Sequence, residues 1–254
     1  MARKTMQNGD RMAQQARAIG ATCVIPARYE STRLPGKPLI DFGGKPMIVR
    51  TYERACRFFT PDRVIVATDD NRIAAACRAH GVQQVELTDP NCRTGTDRVA
   101  EVAARHPEVN VWVNVQGDEP LLPDGVIIPV LNSLCADVAA TNGRAVITNS
   151  EHVTSNTIPK VVSTTTGTAL YLSRCPIPTN GKHYRQVCVY AFWKRTLARF
   201  AAMETGPLEE AESIEILRLI EHGLKVQMVD VPGEGLSVDV PADVAAVKQS
   251  GGWT

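Results

Sequence analysis

VIPARYESTRLPGKPLI, residues Val24–Ile40, joins a short apolar strand to a loop rich in cations and turn residues. The strand, Thr22–Ile25, runs into a segment carrying Arg28, Arg33 and Lys37, with Gly36 between Pro35 and Pro38 close by. Strand, cationic glycine-containing loop, then helix is how α/β proteins hold phosphates. Loop N–H groups and a helix N-terminus supply donors, and fixed cations supply charge. The loop has neither the G-x-x-x-x-G-K-[ST] of a P-loop nor the G-x-G-x-x-G of a dinucleotide fold. One arginine in a turn is ordinarily surface charge. Three cations within ten residues after the first strand point instead to an anion site.

Outward from this loop, strands and helices alternate, the pattern of a parallel sheet covered on both faces. A helix is expected near Met47–Arg57, a strand over Val64–Thr68 and a helix over Asn71–His80 ended by Gly81. A strand follows at Val85–Leu87, then a turn at Thr94–Arg98 opening a helix to Arg105, and a strand at Val111–Val115 leading to Gln116-Gly117-Asp118. Helix Gly125–Leu134 comes next. Beyond it the pattern mixes, with strands at Arg144–Thr148, Lys160–Ser163, Ala169–Leu172 and Val187–Phe192, and a hairpin turn at Thr164–Gly167. Helices are expected over Lys194–Met203, Glu212–Glu221 and Pro241–Gln249, with a last strand at Lys225–Val231. The fold class is α/β and Rossmann-like, a mostly parallel sheet with an inserted β-rich lobe near residues 142–210. Residues 1–20 read as a flexible extension and 21–254 as one domain.

Composition bounds the function. At 254 residues, 44% hydrophobic and 22% charged, the chain can bury a substantial core. A net charge of +1 argues against nucleic acid as a partner. No apolar run approaches a membrane span, and none near the start suits a signal peptide. Seven cysteines scattered singly fit buried thiols in a reducing cytoplasm better than disulfides or zinc.

Ligands of open α/β sheets bind beyond the carboxyl ends of the strands. Three such ends carry polar residues: the first loop, Thr94–Arg98 and Gln116–Glu119. Gly95 would let a backbone come close without a Cβ in the way, while Thr94 or Thr96 could equally cap the following helix. Asp118 ends a buried-looking strand, an expensive place for a carboxylate without a cation. It could also be a turn residue, and Asp239 could be a helix cap before Pro241.

The motifs PARYESTRLPGKPL, Thr94-Gly95-Thr96-Asp97-Arg98, VNVQGDEP at 113–120, Ser173-Arg174 and Val238-Asp239-Val240-Pro241 resemble those of the CMP-3-deoxy-octulosonate (CMP-Kdo) synthetases, over about residues 21–248. The resemblance implies CTP as co-substrate. It places Arg28, Arg33 and Lys37 on the triphosphate, with Arg28 and Lys37 catalytic. It places Thr94, Gly95, Arg98 and Gln116 on the nucleotide, and Asp118 and Asp239 on Mg²⁺. Magnesium typically takes one or two carboxylates with phosphate oxygens and water. It further implies a homodimer. On the acceptor side it points to Gln116, Arg174, Arg185, Gln186, Tyr190 and Glu215.

The acceptor side also departs from the family. Gln186 stands where the Kdo enzymes carry histidine, Ile216 where they carry glutamine, and Pro178–Tyr184 is shorter than their loop. A site built for hydroxyls discriminates through its hydrogen-bonding groups. Two lost groups, with an Arg174/Arg185 pair suited to a dianion, favour a small phosphonate such as phosphonoformate as acceptor. The alternatives are a Kdo enzyme, a nucleotidyltransferase using another base, and a nucleotide-binding regulator without turnover.

Overall fold

The computed structural model describes residues 20–31, 34–233 and 237–250. The expected extension, apart from Gly20, and Arg33 lie outside these residues. The chain divides into two compact units, Met1–Leu122 with Gly235–Thr254, and Pro123–Glu234. The lobe expected near 142–210 falls inside the second.

In the first unit β1 (Thr22–Ala27) pairs in parallel with β2 (Val64–Thr68) on one side and β4 (Val111–Val115) on the other. β3 (Gln84–Leu87) extends the order to β3-β2-β1-β4. The three central strands, TCVIPA, VIVAT and VWVNV, are buried at every residue. That is why they read as near-continuous apolar runs rather than alternating ones. β3 pairs with β2 alone in this unit and is only half buried.

Helices α1 (Met47–Ala55), α2 (Asn71–Ala79) and α3 (Gly95–Arg105) follow β1, β2 and β3. Asp70 caps α2 by accepting from the Arg72 N–H at 2.8 Å, and Gly81 ends the segment at φ 78°. Phe42, Met47, Val238 and Val247 form a fully buried cluster joined by Leu34, Ile40, Leu121 and Val244. This cluster ties the cationic loop to the C-terminal helix, Pro241–Gln249.

The second unit holds α4 (Ile127–Asn132), β5 (Ala140–Val146), α5 (Ser150–Thr154), β6 (Lys160–Ser163), β7 (Ala169–Ser173), β8 (Tyr184–Trp193), α6 (Lys194–Ala202), α7 (Pro207–Glu212), α8 (Leu217–Glu221) and β9 (Val226–Asp230). β5 lies between antiparallel β8 and parallel β9. β6 and β7 form the expected hairpin, with Gly167 N–H donating to the Thr164 carbonyl at 3.0 Å.

Three expectations are corrected. β5 starts at Ala140, four residues before the expected Arg144, because its buried ATN start carries a bulge at Asn142/Gly143 that breaks simple alternation. α5 was not expected. The helix expected over Glu212–Glu221 is confined to Leu217–Glu221; a separate, unexpected helix, Pro207–Glu212, ends just before Ser213, which is left-handed at φ 52°. The Arg174 guanidinium takes the carbonyls of Glu212 and Ser213, which a continuous helix would have used.

Of the cysteines, Cys23 and Cys77 are buried while Cys135 and Cys175 are exposed, so the expectation of buried thiols holds only in part; all seven are free. Burial pushes the Cys77 thiol up to about 12. No helix among the described residues is long and apolar enough to cross a membrane.

Candidate active site

After β1 the chain passes exposed Arg28 and folds back through Gly36, whose N–H donates to the Tyr29 carbonyl at 3.0 Å. Gly36 sits at φ +70°, and a Cβ there would lie 3.3 Å from the Tyr29 hydroxyl. The loop makes a single 3₁₀ turn, Lys37–Leu39, with Pro38 inside it, before α1 begins at Met47 as expected. α1 then fastens the surroundings. Arg50 donates to the carbonyls of Phe42 (2.9 Å) and Gly43 (2.7 Å), Thr51 to that of Gly117 (3.1 Å), and Arg54 to that of Leu122 (3.0 Å). Gly117 itself must be glycine, since a Cβ would come within 2.9 Å of the Pro26 carbonyl.

This scaffold brings together three residues distant in sequence. Lys37 Nζ donates to Asp118 Oδ2 at 2.8 Å and lies 3.6 Å from Asp239 Oδ1. The Val238 N–H donates to the Asp118 carbonyl at 3.0 Å, which sets Asp239 beside the end of β4. Asp239 is not the cap it could have been. Asp243 takes that role, its Oδ2 accepting from the N–H groups of Asp239 (2.7 Å) and Val240 (2.9 Å). Asp118 Oδ1 is buried and accepts no hydrogen bond among the described residues. A buried carboxylate oxygen without a donor is costly, and a cation would satisfy it. Among the described residues no group of three or more His, Cys, Asp or Glu could hold a metal. Two carboxylates therefore fit an ion that draws its other ligands from phosphate and water.

The second strand end is built around Thr94. It caps α3 in a capping box: Thr94 Oγ1 accepts from Asp97 N–H at 3.2 Å, and Asp97 Oδ2 accepts from Thr94 N–H at 3.0 Å. Gly95 lies against Gln116, whose amide would be 2.8–3.0 Å from a Cβ. The obstacle is the far end of a flexible side chain, so Gly95→Ala should cost little stability and displace the Gln116 amide. We expect KM for the nucleotide to rise about tenfold, roughly 1.4 kcal/mol, with the thermal midpoint nearly unchanged; initial-rate kinetics and thermal unfolding check both.

Arg98, expected on the nucleotide, is turned inward. Its guanidinium is 3% exposed and bonds Asp69 Oδ2 at 2.9 Å and the Thr88 hydroxyl. It braces α3 against the ends of β2 and β3. Asp69 was missed by sequence reasoning, although a carboxylate just after a buried strand is the signal that singled out Asp118.

In the second unit Arg174 is committed to the backbone. It donates to the carbonyls of Glu212 (2.7 Å), Asn156 (3.1 Å), Thr157 (3.3 Å) and Ser213 (3.1 Å). Glu212 accepts from Tyr171 Oη, Ser173 Oγ and the Arg174 N–H. Burial pushes the Glu212 carboxyl up, but these donors outweigh it and hold it below the ordinary carboxylate range. Lys160 is likewise fully buried, donating to the carbonyls of Ser155, Ile158 and Arg174.

Arg185, Gln186 and Tyr190 lie on β8 and are buried. Gln186 Nε2 donates to Asn142 Oδ1 at 2.9 Å, while Asn142 Nδ2 stitches the bulge through the Val187 and Val189 carbonyls. Tyr190 stacks on Phe192 at 6.0 Å, and Glu215 is half buried. Arg174→Ala should therefore destabilise the protein by about 2 kcal/mol, seen in urea unfolding. Arg174→Lys should not rescue it, because one ammonium cannot span four carbonyls.

A family model for cytidylyltransferases matches residues 22–226. The chain is 41% identical over 244 residues to the 3-deoxy-manno-octulosonate cytidylyltransferase of Geobacter metallireducens, covering 89% of this chain and 95% of that protein. The Myxococcus xanthus protein of the same name is 40% identical, with 89% and 94% covered. Among solved structures the fold matches CMP:2-keto-3-deoxy-manno-octonic acid synthetase complexed with CTP, at a TM-score of 0.79 and 36% identity over 91% of this chain and 97% of that one. A Leptospira borgpetersenii cytidylyltransferase, 17% identical with a TM-score of 0.58, shares the fold.

The phosphonate expectation loses its ground here. These relatives are named for a sugar acid, Arg174 is spent on carbonyl groups, and Ile216 is fully buried core, not a trimmed contact. The chain belongs to the cytidylyltransferase family, in the branch of the 3-deoxy-manno-octulosonate (Kdo) enzymes.

Proposed function

We propose that the enzyme transfers CMP from CTP to 3-deoxy-manno-octulosonate with release of pyrophosphate. The observation that carries this reading is the convergence of Lys37, Asp118 and Asp239 at the end of a parallel strand, in a chain matching octulosonate enzymes over nearly its whole length. Asp118 and Asp239 hold Mg²⁺, and the unpartnered Oδ1 of Asp118 is the oxygen that most needs it. When bound, the ion neutralises charge on the leaving pyrophosphate. Lys37, Arg28 and Arg33 serve the polyphosphate and stabilise the charge that gathers as the bond to the α-phosphorus breaks. Thr94, Gly95 and Gln116 seat the nucleotide at the α3 N-terminus, with Arg98 positioning that turn rather than touching the ligand.

The acceptor oxygen attacks the α-phosphorus in line, and no covalent enzyme intermediate is needed. Gln116, Arg185, Gln186, Tyr190 and Glu215 serve the acceptor, whose carboxylate suits charge-assisted donors. The enzyme works as a homodimer, which light scattering would reveal as twice the chain mass. A regulator without turnover would be expected to have lost Lys37, Asp118 or Asp239, and all three are present. Thermal shifts with each of the four nucleoside triphosphates and Mg²⁺ test the nucleotide half. CTP should stabilise most, and equal shifts for all four would refute it.

A further inference from the structure

Lys37, Asp118 and Asp239 form a compact charge group with side-chain exposures of only 17%, 21% and 22%. Water screens such a group poorly, so its internal balance matters. Two carboxylates without a cation would repel each other across the loop, and one ammonium leaves a net charge near −1. We propose that Lys37 is the resident counterion of Asp118 and Asp239, and that its ammonium makes divalent-ion binding conditional on the nucleotide's polyphosphate. The inference rests on the reading above that these carboxylates hold the ion.

While Lys37 lies 2.8 Å from Asp118 and 3.6 Å from Asp239, an entering divalent cation meets a like charge and one carboxylate oxygen already engaged. The pair therefore attracts the ion far less than two uncompensated carboxylates would. A lysine ammonium is a point charge on a flexible four-carbon stem, so it can change partners without moving the backbone. That backbone is held by Gly36, by the 3₁₀ turn and by the Phe42–Val238 cluster. An arriving polyphosphate offers the ammonium another anionic partner, and releasing it frees Asp118 Oδ2 beside the already unpartnered Oδ1. Lys37 thus has two roles in sequence, filling the ion's place in the empty enzyme and then facing the phosphates.

Mn²⁺ titration followed by electron paramagnetic resonance tests this without turnover. Wild type alone should bind Mn²⁺ weakly, and CTP should tighten binding, with D118N as the blank for Mn²⁺–CTP free in solution. K37M without nucleotide should bind Mn²⁺ at least about tenfold tighter than wild type without nucleotide, and adding D118N should abolish that gain. Its metal-free thermal midpoint should fall below wild type and recover with Mg²⁺. K37Q serves as the second variant if circular dichroism shows K37M misfolded. If CTP recruits Mn²⁺ to wild type but K37M and K37Q alone bind it no better than wild type, the counterion role is overturned and the carboxylate assignment stands. If CTP recruits no Mn²⁺ beyond the D118N blank, both fall.

Discussion

Asp118→Asn lowers turnover at least about a hundredfold, roughly 2.7 kcal/mol of transition-state stabilisation, and leaves the fold intact. Asparagine keeps the shape of the side chain and the backbone bond from Val238 N–H to the residue 118 carbonyl. It removes the charge shared by Oδ2, which Lys37 engages, and Oδ1, the oxygen proposed to meet the ion. Asp239→Asn should behave alike, because Asp243 rather than Asp239 caps the final helix and the substitution does not touch that cap. Initial rates at saturating Mg²⁺, set beside thermal unfolding, separate a catalytic loss from a structural one. Near-normal turnover in either variant would return that aspartate to the ranks of turn residues.

The largest stability effect is expected at Glu209 and Arg218. Arg218 is fully buried and bonds Glu209 in fork geometry, Nε to Oε2 and Nη2 to Oε1, both at 2.7 Å. It also donates to the Phe200 carbonyl, and its guanidinium lies 3.9 Å from the centroid of the Phe200 ring. This pair joins α7 and α8 to the end of α6. Glu209→Gln leaves a buried guanidinium without its counter-charge, and Arg218→Met leaves a buried carboxylate. Each should cost about 3–5 kcal/mol, measured as a fall in the denaturant midpoint. The double replacement Glu209→Leu with Arg218→Met should recover much of the loss, because an apolar pair of similar volume avoids desolvating charge. Equal instability of the single and double variants would mean that the pair contributes through packing instead.

The cationic loop, the buried parallel strands and the capping pattern at Thr94 were legible because each is local: burial on both faces writes a continuous apolar run, and a cap writes a polar residue before a helix. Lys37 was legible as a cation of that loop and Asp118 as a carboxylate ending a buried strand, while the role of each came from the resemblance. Asp239 was not legible from its surroundings, where a cap before Pro241 was an equally good reading; only the resemblance singled it out.

Arg174 and Arg98 take partners that their residue type does not announce. An arginine's type advertises an anion fork, but its partners are chosen in three dimensions, and here they are backbone carbonyls and an internal aspartate. The helix expected at Glu212–Glu221 forms only from Leu217 for a related reason, since the same guanidinium holds the Ser213 carbonyl and Ser213 is left-handed.

The acceptor decides whether this reading of the site is right. Pyrophosphate release with CTP and Mg²⁺, measured as kcat/KM for 3-deoxy-manno-octulosonate and for phosphonoformate in the same preparation, compares the two directly. Octulosonate should be favoured by at least about a hundredfold, roughly 2.7 kcal/mol, because in the proposed site a compact anion would leave hydrogen-bonding groups for sugar hydroxyls unpaired. Phosphonoformate turning over faster than octulosonate would contradict it.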